Sequence, residues 1–146
     1  MALASFLNKE EQERVVSAIA DAERATSGEI RVHVEPKCKG GEPYTRAVEM
    51  FNGLKMFETA ERNGVLIYVA YKSHHFAIIG DSGINEKVPE GFWDDEKDIL
   101  GKHLSDGKQC EGLCEVIKMI GENLSKYFPC QADDKNELSN EISYNS

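Results

Sequence analysis

Apolar residues follow two different rhythms along this chain, and each rhythm predicts an element. The densest apolar stretch starts after the turn dipeptide Asn63-Gly64. Six apolar residues run without a break from Val65 to Ala70. A polar gap, Lys72-Ser73-His74, precedes a second run from Phe76 to Ile79, which closes in Gly80-Asp81-Ser82-Gly83. Two β-rich runs joined by a short polar turn predict a hairpin. The first run does not alternate, so both faces of its strand are expected to be buried.

Helical spacing governs most of the remainder. Asn8 stands three residues before Glu11, a capping pattern. Val15, Ala18, Ile19 and Ala22 then recur at the period of an amphipathic helix, which is expected over residues 8–26. Residues 29–35 alternate instead, with Ile30, Val32 and Val34 on one face and Glu29, Arg31 and His33 on the other, and they predict a strand. Two prolines and the pair Gly40-Gly41 make residues 36–43 a loop. Tyr44, Ala47, Val48, Phe51 and Leu54 mark a second helix. After a short helical turn at 84–88, helices are expected over 91–105 and 109–127, the latter ended by Pro129. This order predicts an α/β fold. Strands 29–35 and 65–70 lie parallel through a right-handed helical crossover, strand 76–79 adds antiparallel as the second arm of the hairpin, and helices sandwich the small mixed β-sheet. Residues 1–130 form the single domain. From Gln131 the chain turns polar, with only Leu138, Ile142 and Tyr144 as anchors, so 131–146 is expected to be a mostly disordered tail.

Charge narrows the classes of partner. Acidic residues outnumber basic ones 26 to 17, for a formal charge of -9. A surface of that sign disfavours nucleic acid and anionic membranes. No apolar run approaches the roughly 20 residues that span a bilayer, and residues 1–8 lack the basic start of a signal peptide. The expectation is a cytoplasmic monomer without membrane insertion. Cys38, Cys110, Cys114 and Cys130 match no paired C-x-x-C zinc spacing. Cys110 and Cys114, four apart, could face each other across a helical turn. Free thiols are the expectation, a metal or a disulfide the alternative.

Candidate chemistry gathers at one edge of the sheet. The starts of the two parallel strands, Glu29 and Asn63, and the end of the antiparallel one, Asp81, fall at one rim. Asp94, Asp95 and Glu96 follow in the first turn of the next helix, where the dipole favours carboxylates regardless of function. The competing reading is a hard-cation site of Asp81, Asp94, Asp95 and Glu29, since calcium and magnesium require clustered oxygens. Arg62, beside the rim, could hold an anion. His74-His75, in the hairpin turn, points to opposite faces and cannot readily chelate one ion. No partner is visible for His33 or His103. Trp93 reads as a core or lid aromatic. Phosphate-binding loops, the dinucleotide fingerprint, the serine-hydrolase elbow and the cysteine phosphatase loop are all absent.

Four motifs in order resemble the TPM domain family, whose members include thylakoid-lumen, photosystem-repair and receptor-auxiliary proteins. They are Thr26-Ser27-Gly28-Glu29-Ile30-Arg31-Val32, Arg62-Asn63-Gly64-Val65-Leu66-Ile67, Ile79-Gly80-Asp81-Ser82-Gly83-Ile84, and Gly112-Leu113. The chain is similar to the short free-standing bacterial type. Longer members tend to carry Gly-Tyr-Gly where this chain has Gly80-Asp81-Ser82-Gly83. Phosphatase activity belongs to the plant lumenal branch of the family. Two functions follow. The first is a non-catalytic interaction or regulatory module that binds calcium, and magnesium more weakly, with a protein partner to be identified. The alternative is a metal-assisted, acid phosphatase-like phosphomonoesterase, for which Asp81 and Ser82 are the nearby candidate groups.

Overall fold

A computed structural model of the chain describes residues 2–130 and 139–145. In chain order its elements are α1 (Ala2–Phe6), α2 (Lys9–Glu23), β1 (Glu29–Glu35), α3 (Pro43–Gly53), β2 (Gly64–Ala70), β3 (His75–Gly80), α4 (Ser82–Asn85), α5 (Asp94–Ser105), α6 (Gln109–Leu124) and β4 (Ser143–Tyr144). Asn8 starts α2 as expected. Its side chain accepts from the Glu11 N–H at 2.8 Å, and the Glu11 carboxylate accepts from the Asn8 N–H at 2.9 Å. Pro43 opens α3 without a side-chain cap, in the one helical position where its missing N–H costs nothing.

The sheet runs β3-β2-β1-β4. β1 and β2 are parallel with Glu29 opposite Gly64, and β3 returns antiparallel to β2 with Val65 opposite Gly80. The 28 residues between β1 and β2 (36–63) carry α3, which explains the parallel pairing, because a parallel link needs a crossover. All seven residues of β2 are buried. Its odd-numbered positions Val65, Ile67 and Val69 join Ile30, Val32 and Val34 under α2, α5 and α6. Leu66, Tyr68 and Ala70 face the other way and pack with Ala47, Phe51 and Met56 of α3 and the loop after it. The mixed sheet is thus covered on both faces, and its rim at Glu29, Gly64 and Asp81 is one continuous edge.

The polar face of β1 is buried too. Glu35 lies beneath α3, where Arg46 donates to it twice, at 2.8 and 2.9 Å. Tyr68 donates to the same carboxylate and Asn145 donates at 3.1 Å. Burial alone would raise the Glu35 pKa, but the bonds from Arg46, Tyr68 and Asn145 outweigh it and hold the carboxyl down at about 2. His33, without a visible partner in the sequence, meets the Ser143 hydroxyl at 2.6 Å and stacks on Tyr68. These contacts dock the end of the tail. Ser143–Tyr144 pairs parallel with β1 at His33 and Val34, and Ile142 enters the core. Residues 131–138, the first half of the expected tail, lie outside the described residues. The docking of 142–145 departs from a tail without structure. Its physical reason is that the His33 and Glu35 side chains on β1 supply polar partners that hydrophobicity alone does not reveal.

Candidate functional site

Three short segments build the rim. The first is Thr26-Ser27-Gly28, between α2 and β1. The Thr26 hydroxyl donates to the Phe128 carbonyl and accepts from the Gly28 N–H at 3.0 Å, which ties the start of β1 to the end of α6. Gly28 is needed for space, since a Cβ there would come within 2.9 Å of Leu124. The second is the loop into β2. Ser27 Oγ donates to Glu61 at 2.9 Å, the Asn63 side chain donates to Ser27 Oγ at 3.3 Å, and the Asn63 carbonyl accepts from the Glu29 N–H at 3.2 Å. Asn63 is therefore the buried hub that joins the starts of β1 and β2. The third is Asp81-Ser82-Gly83, after β3.

At its centre, Asp81 and Arg62 meet fork to fork. Arg62 Nε donates to one carboxylate oxygen at 2.8 Å and Nη2 donates to the other at 2.9 Å. The Ser82 N–H donates to the Asp81 carboxylate at 2.7 Å, making Asp81 the cap of α4. The carboxylate is 5% exposed and the guanidinium side chain 50%. Arg62 reaches this position from a left-handed backbone (φ 51°), a conformation that only surrounding structure sustains in a residue with a Cβ. Gly83 fits that constraint. Its N–H donates to the Arg62 carbonyl at 2.9 Å, and a Cβ at Gly83 would stand 2.1 Å from the Glu61 carbonyl oxygen. Gly83 thus marks the close approach of two backbones.

The other sequence-predicted acids are placed differently. Glu29 and Asp81 flank Gly64, one through the β1–β2 ladder and the other through the Asp81 N–H to Gly64 carbonyl bond of 2.9 Å. Two strand spacings, about 10 Å, therefore separate their backbones. Glu29 is buried and faces Glu23, whose pKa is pushed up to about 7. Burial is the main cause, the Ile30 N–H opposes it, and the Glu29 charge adds to it. Asp94 and Asp95 are exposed at the start of α5, with the Asp94 carboxylate folded over Gly91. Among the described residues no three His, Cys, Asp or Glu side chains are grouped to hold a metal ion. The expected anion-binding residue, Arg62, has Asp81 as its anion. Trp93 packs on Gly80 and meets Phe92 edge-on at 4.7 Å, so it is a core-facing aromatic beside the rim.

Sequence reasoning missed one acid here. Glu96, read only as a first-turn carboxylate of α5, is fully buried and accepts from the Asn123 side chain. Burial raises its pKa, with Asn123 opposing. The signal was its spacing: Glu96 lies four residues before Leu100, on the inward stripe of α5, while Asp94 and Asp95 lie off it.

With this geometry in view, the comparisons with known proteins can be stated. The TPM domain family model matches residues 1–123. The BA42 protein of the psychrophilic bacterium Bizionia argentinensis, solved by NMR, is 44% identical over 96% of both chains and superposes with a TM-score of 0.90. The N-terminal domain of the cg2496 protein of Corynebacterium glutamicum is 12% identical over 94% of this chain and 79% of that one, with a TM-score of 0.61, and it shares the fold alone. A search of curated proteins found no match. A domain match across most of the chain, and a free-standing bacterial relative of the same length and fold, make this chain a member of the TPM domain family.

Proposed function

We propose that the protein is a non-catalytic interaction or regulatory module that takes a divalent cation at the Asp81 rim, calcium in preference to magnesium. The Arg62–Asp81 fork carries the reading. A buried carboxylate here is already oriented with both oxygens on a cationic partner and is steadied by the Ser82 N–H. A metal ion can take the place of the guanidinium. Arg62 is half exposed, so it moves into water when displaced, and no buried charge is left unpaired by the exchange. Displaced, it is available to an anionic group on a protein partner.

Asp81 would supply the anchoring ligand. Asp94 and Asp95 are the acids with the freedom to close on it, and loop carbonyls and water would complete the shell. Calcium accepts about six to eight such oxygens in irregular geometry, whereas magnesium demands a near-octahedral set and keeps its waters. Glu29, two strands away, would add negative potential more readily than a direct bond.

Calcium titration followed by amide NMR tests this. Shifts are expected chiefly in residues 80–95, with smaller ones at Glu29 and Arg62. Asp81→Asn should abolish them while the fold persists. Arg62→Gln should tighten binding, because it removes the competing cation. Shifts confined to Asp133-Asp134, no shifts at all, or weaker binding in Arg62→Gln would each remove the site.

A further inference from the structure

A cavity of about 500 Å³ lies at the other end of the sheet from the rim. β2 runs from Gly64 at the rim to Ala70 at the cavity, about 20 Å at the rise of a strand. The walls come from the end of β2, the start of β3, the end of α1 and the last turns of α5. Phe6 and Tyr71 stack at 5.5 Å with their rings 21° from parallel, and they form an aromatic wall. Phe76 adds another ring. It is only half-buried, as are Tyr71 and Leu104, although β2 beside them is wholly buried. Gly101 keeps the space open. It stands inside α5, where glycine is a poor helix former, and a Cβ there would lie 3.3 Å from Phe76 Cζ. Gln109 Nε2 donates to the Phe6 carbonyl at 3.0 Å, which fixes α1 against the start of α6 and holds that wall in place.

We propose that this cavity binds a small uncharged aromatic molecule bearing a hydroxyl group, of the naphthol class, independently of the Asp81 rim. Its place in the fold suits a ligand, because open α/β sheets take their ligands outside the carboxyl ends of parallel strands, and β2 ends here. Its size falls within the range of about 300–1,000 Å³ that holds small organic molecules. Among the described residues no Asp, Glu, Lys or Arg lines it, so neither a cation nor an anion finds a counter-charge. The net charge of -9 disfavours an anion further. A planar ring system can stack on the Phe6–Tyr71 wall and on Phe76, and it removes from water the apolar area those residues leave exposed. His75 accounts for the hydroxyl. It opens β3 and lines the cavity, and its Nδ1 is shielded from water with no hydrogen-bond partner among the described residues. Leaving such an atom unpaired is costly. The imidazole turns on a broad torsional potential, so Nδ1 can swing toward a ligand without giving up a hydrogen bond. A hydroxyl donates to a bare nitrogen and accepts from a protonated one, so it serves either tautomer.

Titration of the full chain with 2-naphthol, followed by amide NMR, provides the test. Shifts should centre on residues 69–76 and 101–109 and leave 80–95 in place. Naphthalene, of the same shape without the hydroxyl, should bind about fivefold more weakly or worse, the worth of one hydrogen bond. The anion 2-naphthoate should bind at least about tenfold more weakly than 2-naphthol. Ser105 is exposed at the cavity wall, so Ser105→Trp should obstruct the cavity and weaken 2-naphthol binding by at least about tenfold, with the remaining amide spectrum showing an intact fold. His75→Phe keeps a ring in the wall and removes its nitrogens, so it should erase the preference for 2-naphthol over naphthalene while both still bind. Absence of binding, shifts centred on 80–95, or equal affinity for 2-naphthol and naphthalene in the wild-type chain would overturn the proposal. So would tighter binding of 2-naphthoate, affinity untouched by Ser105→Trp, or a hydroxyl preference that survives His75→Phe.

Discussion

Arg46 grips Glu35 through two near-parallel hydrogen bonds, 2.8 and 2.9 Å long, and both side chains are buried. This pair lies beneath α3, with Tyr68 and Asn145 on the same carboxylate and His33 stacked on Tyr68. The polar side of β1 is therefore an internal network that joins α3, β2 and the end of the tail. Breaking one partner of such a pair leaves a buried charge without compensation, which typically costs about 3–5 kcal/mol. Arg46→Met should accordingly destabilise far more than the double change Arg46→Met with Glu35→Leu, measured by urea unfolding. Equal losses would mean that the network is solvated.

Acid should loosen this network in two steps. Desolvation lowers the His33 pKa from 6.5 to about 4, partly offset by Glu35. The unfolded chain thus takes the proton first, and stability falls as the pH drops from about 6.5 toward 4. Glu35, held at about 2 against 4.5, contributes stability above pH 4.5 that is lost between there and 2. Each shift is worth on the order of 3 kcal/mol at its limit. In a Glu23→Gln background, which removes the opposing titration of Glu23 over pH 4.5–7, urea midpoints measured from pH 8 to 3 should therefore begin to fall near 6.5. In His33→Asn the first decline should vanish and the second remain. A flat profile down to pH 5 in the Glu23→Gln background would contradict the burial of His33.

Glu23 has the opposite sign. Its folded pKa of about 7 exceeds the ordinary 4.5, so the unfolded chain ionises first and stability declines as the pH rises from about 4.5 to 7. Glu23→Gln keeps an oxygen for the Ile30 N–H, which the carboxylate accepts at 2.9 Å, and removes the desolvated charge beside Glu29. The variant should be more stable than wild type at pH 8 by on the order of 1–3 kcal/mol, and nearly equal to it at pH 4. Loss of stability at pH 8 would show that the charge of Glu23 serves the fold.

Much of this architecture was legible in the chain, and the parts that were not have a common cause. Residues 65–70 announced a strand buried on both faces because apolar residues filled both parities. Glu29–Glu35 announced a strand through alternation, with one face less apolar than the other. The structure buries Glu29, His33 and Glu35, and the partners of the last two, Arg46, Tyr68, Ser143 and Asn145, come from three distant segments. Periodicity records which positions are apolar, and it carries no information on which polar positions will find partners. The rim was located correctly by topology, since the hairpin and the crossover leave no other place for Glu29, Asn63 and Asp81. The Arg62–Asp81 fork depends on the left-handed Arg62 backbone, which nothing in the local sequence specifies.

The last prediction concerns Gly83, which couples the fold to the rim. A methyl group at this position would stand 2.1 Å from the Glu61 carbonyl oxygen and 2.7 Å from that of Arg62, and neither is a flexible side-chain end. The backbone of 61–62 must move to admit it, and that backbone carries Arg62 in its left-handed conformation. Gly83→Ala should therefore cost about 1–3 kcal/mol from overpacking. It should also break the 2.8 and 2.9 Å contacts between Arg62 and Asp81, with the amide signals of both residues moving. Gly53→Ala is the control. It lies at the end of α3 with nothing within 4 Å of an added Cβ, and helix propensity makes it neutral or stabilising by up to about 1 kcal/mol. If the two alanine variants were equally stable, the close approach at Gly83 would be without consequence. If Gly83→Ala lost stability while the Arg62 and Asp81 signals stayed in place, the glycine would serve packing alone. The fork would then owe its geometry to the loop from Thr59 to Asn63, where the Thr59 hydroxyl accepts from the Asn63 N–H at 3.2 Å.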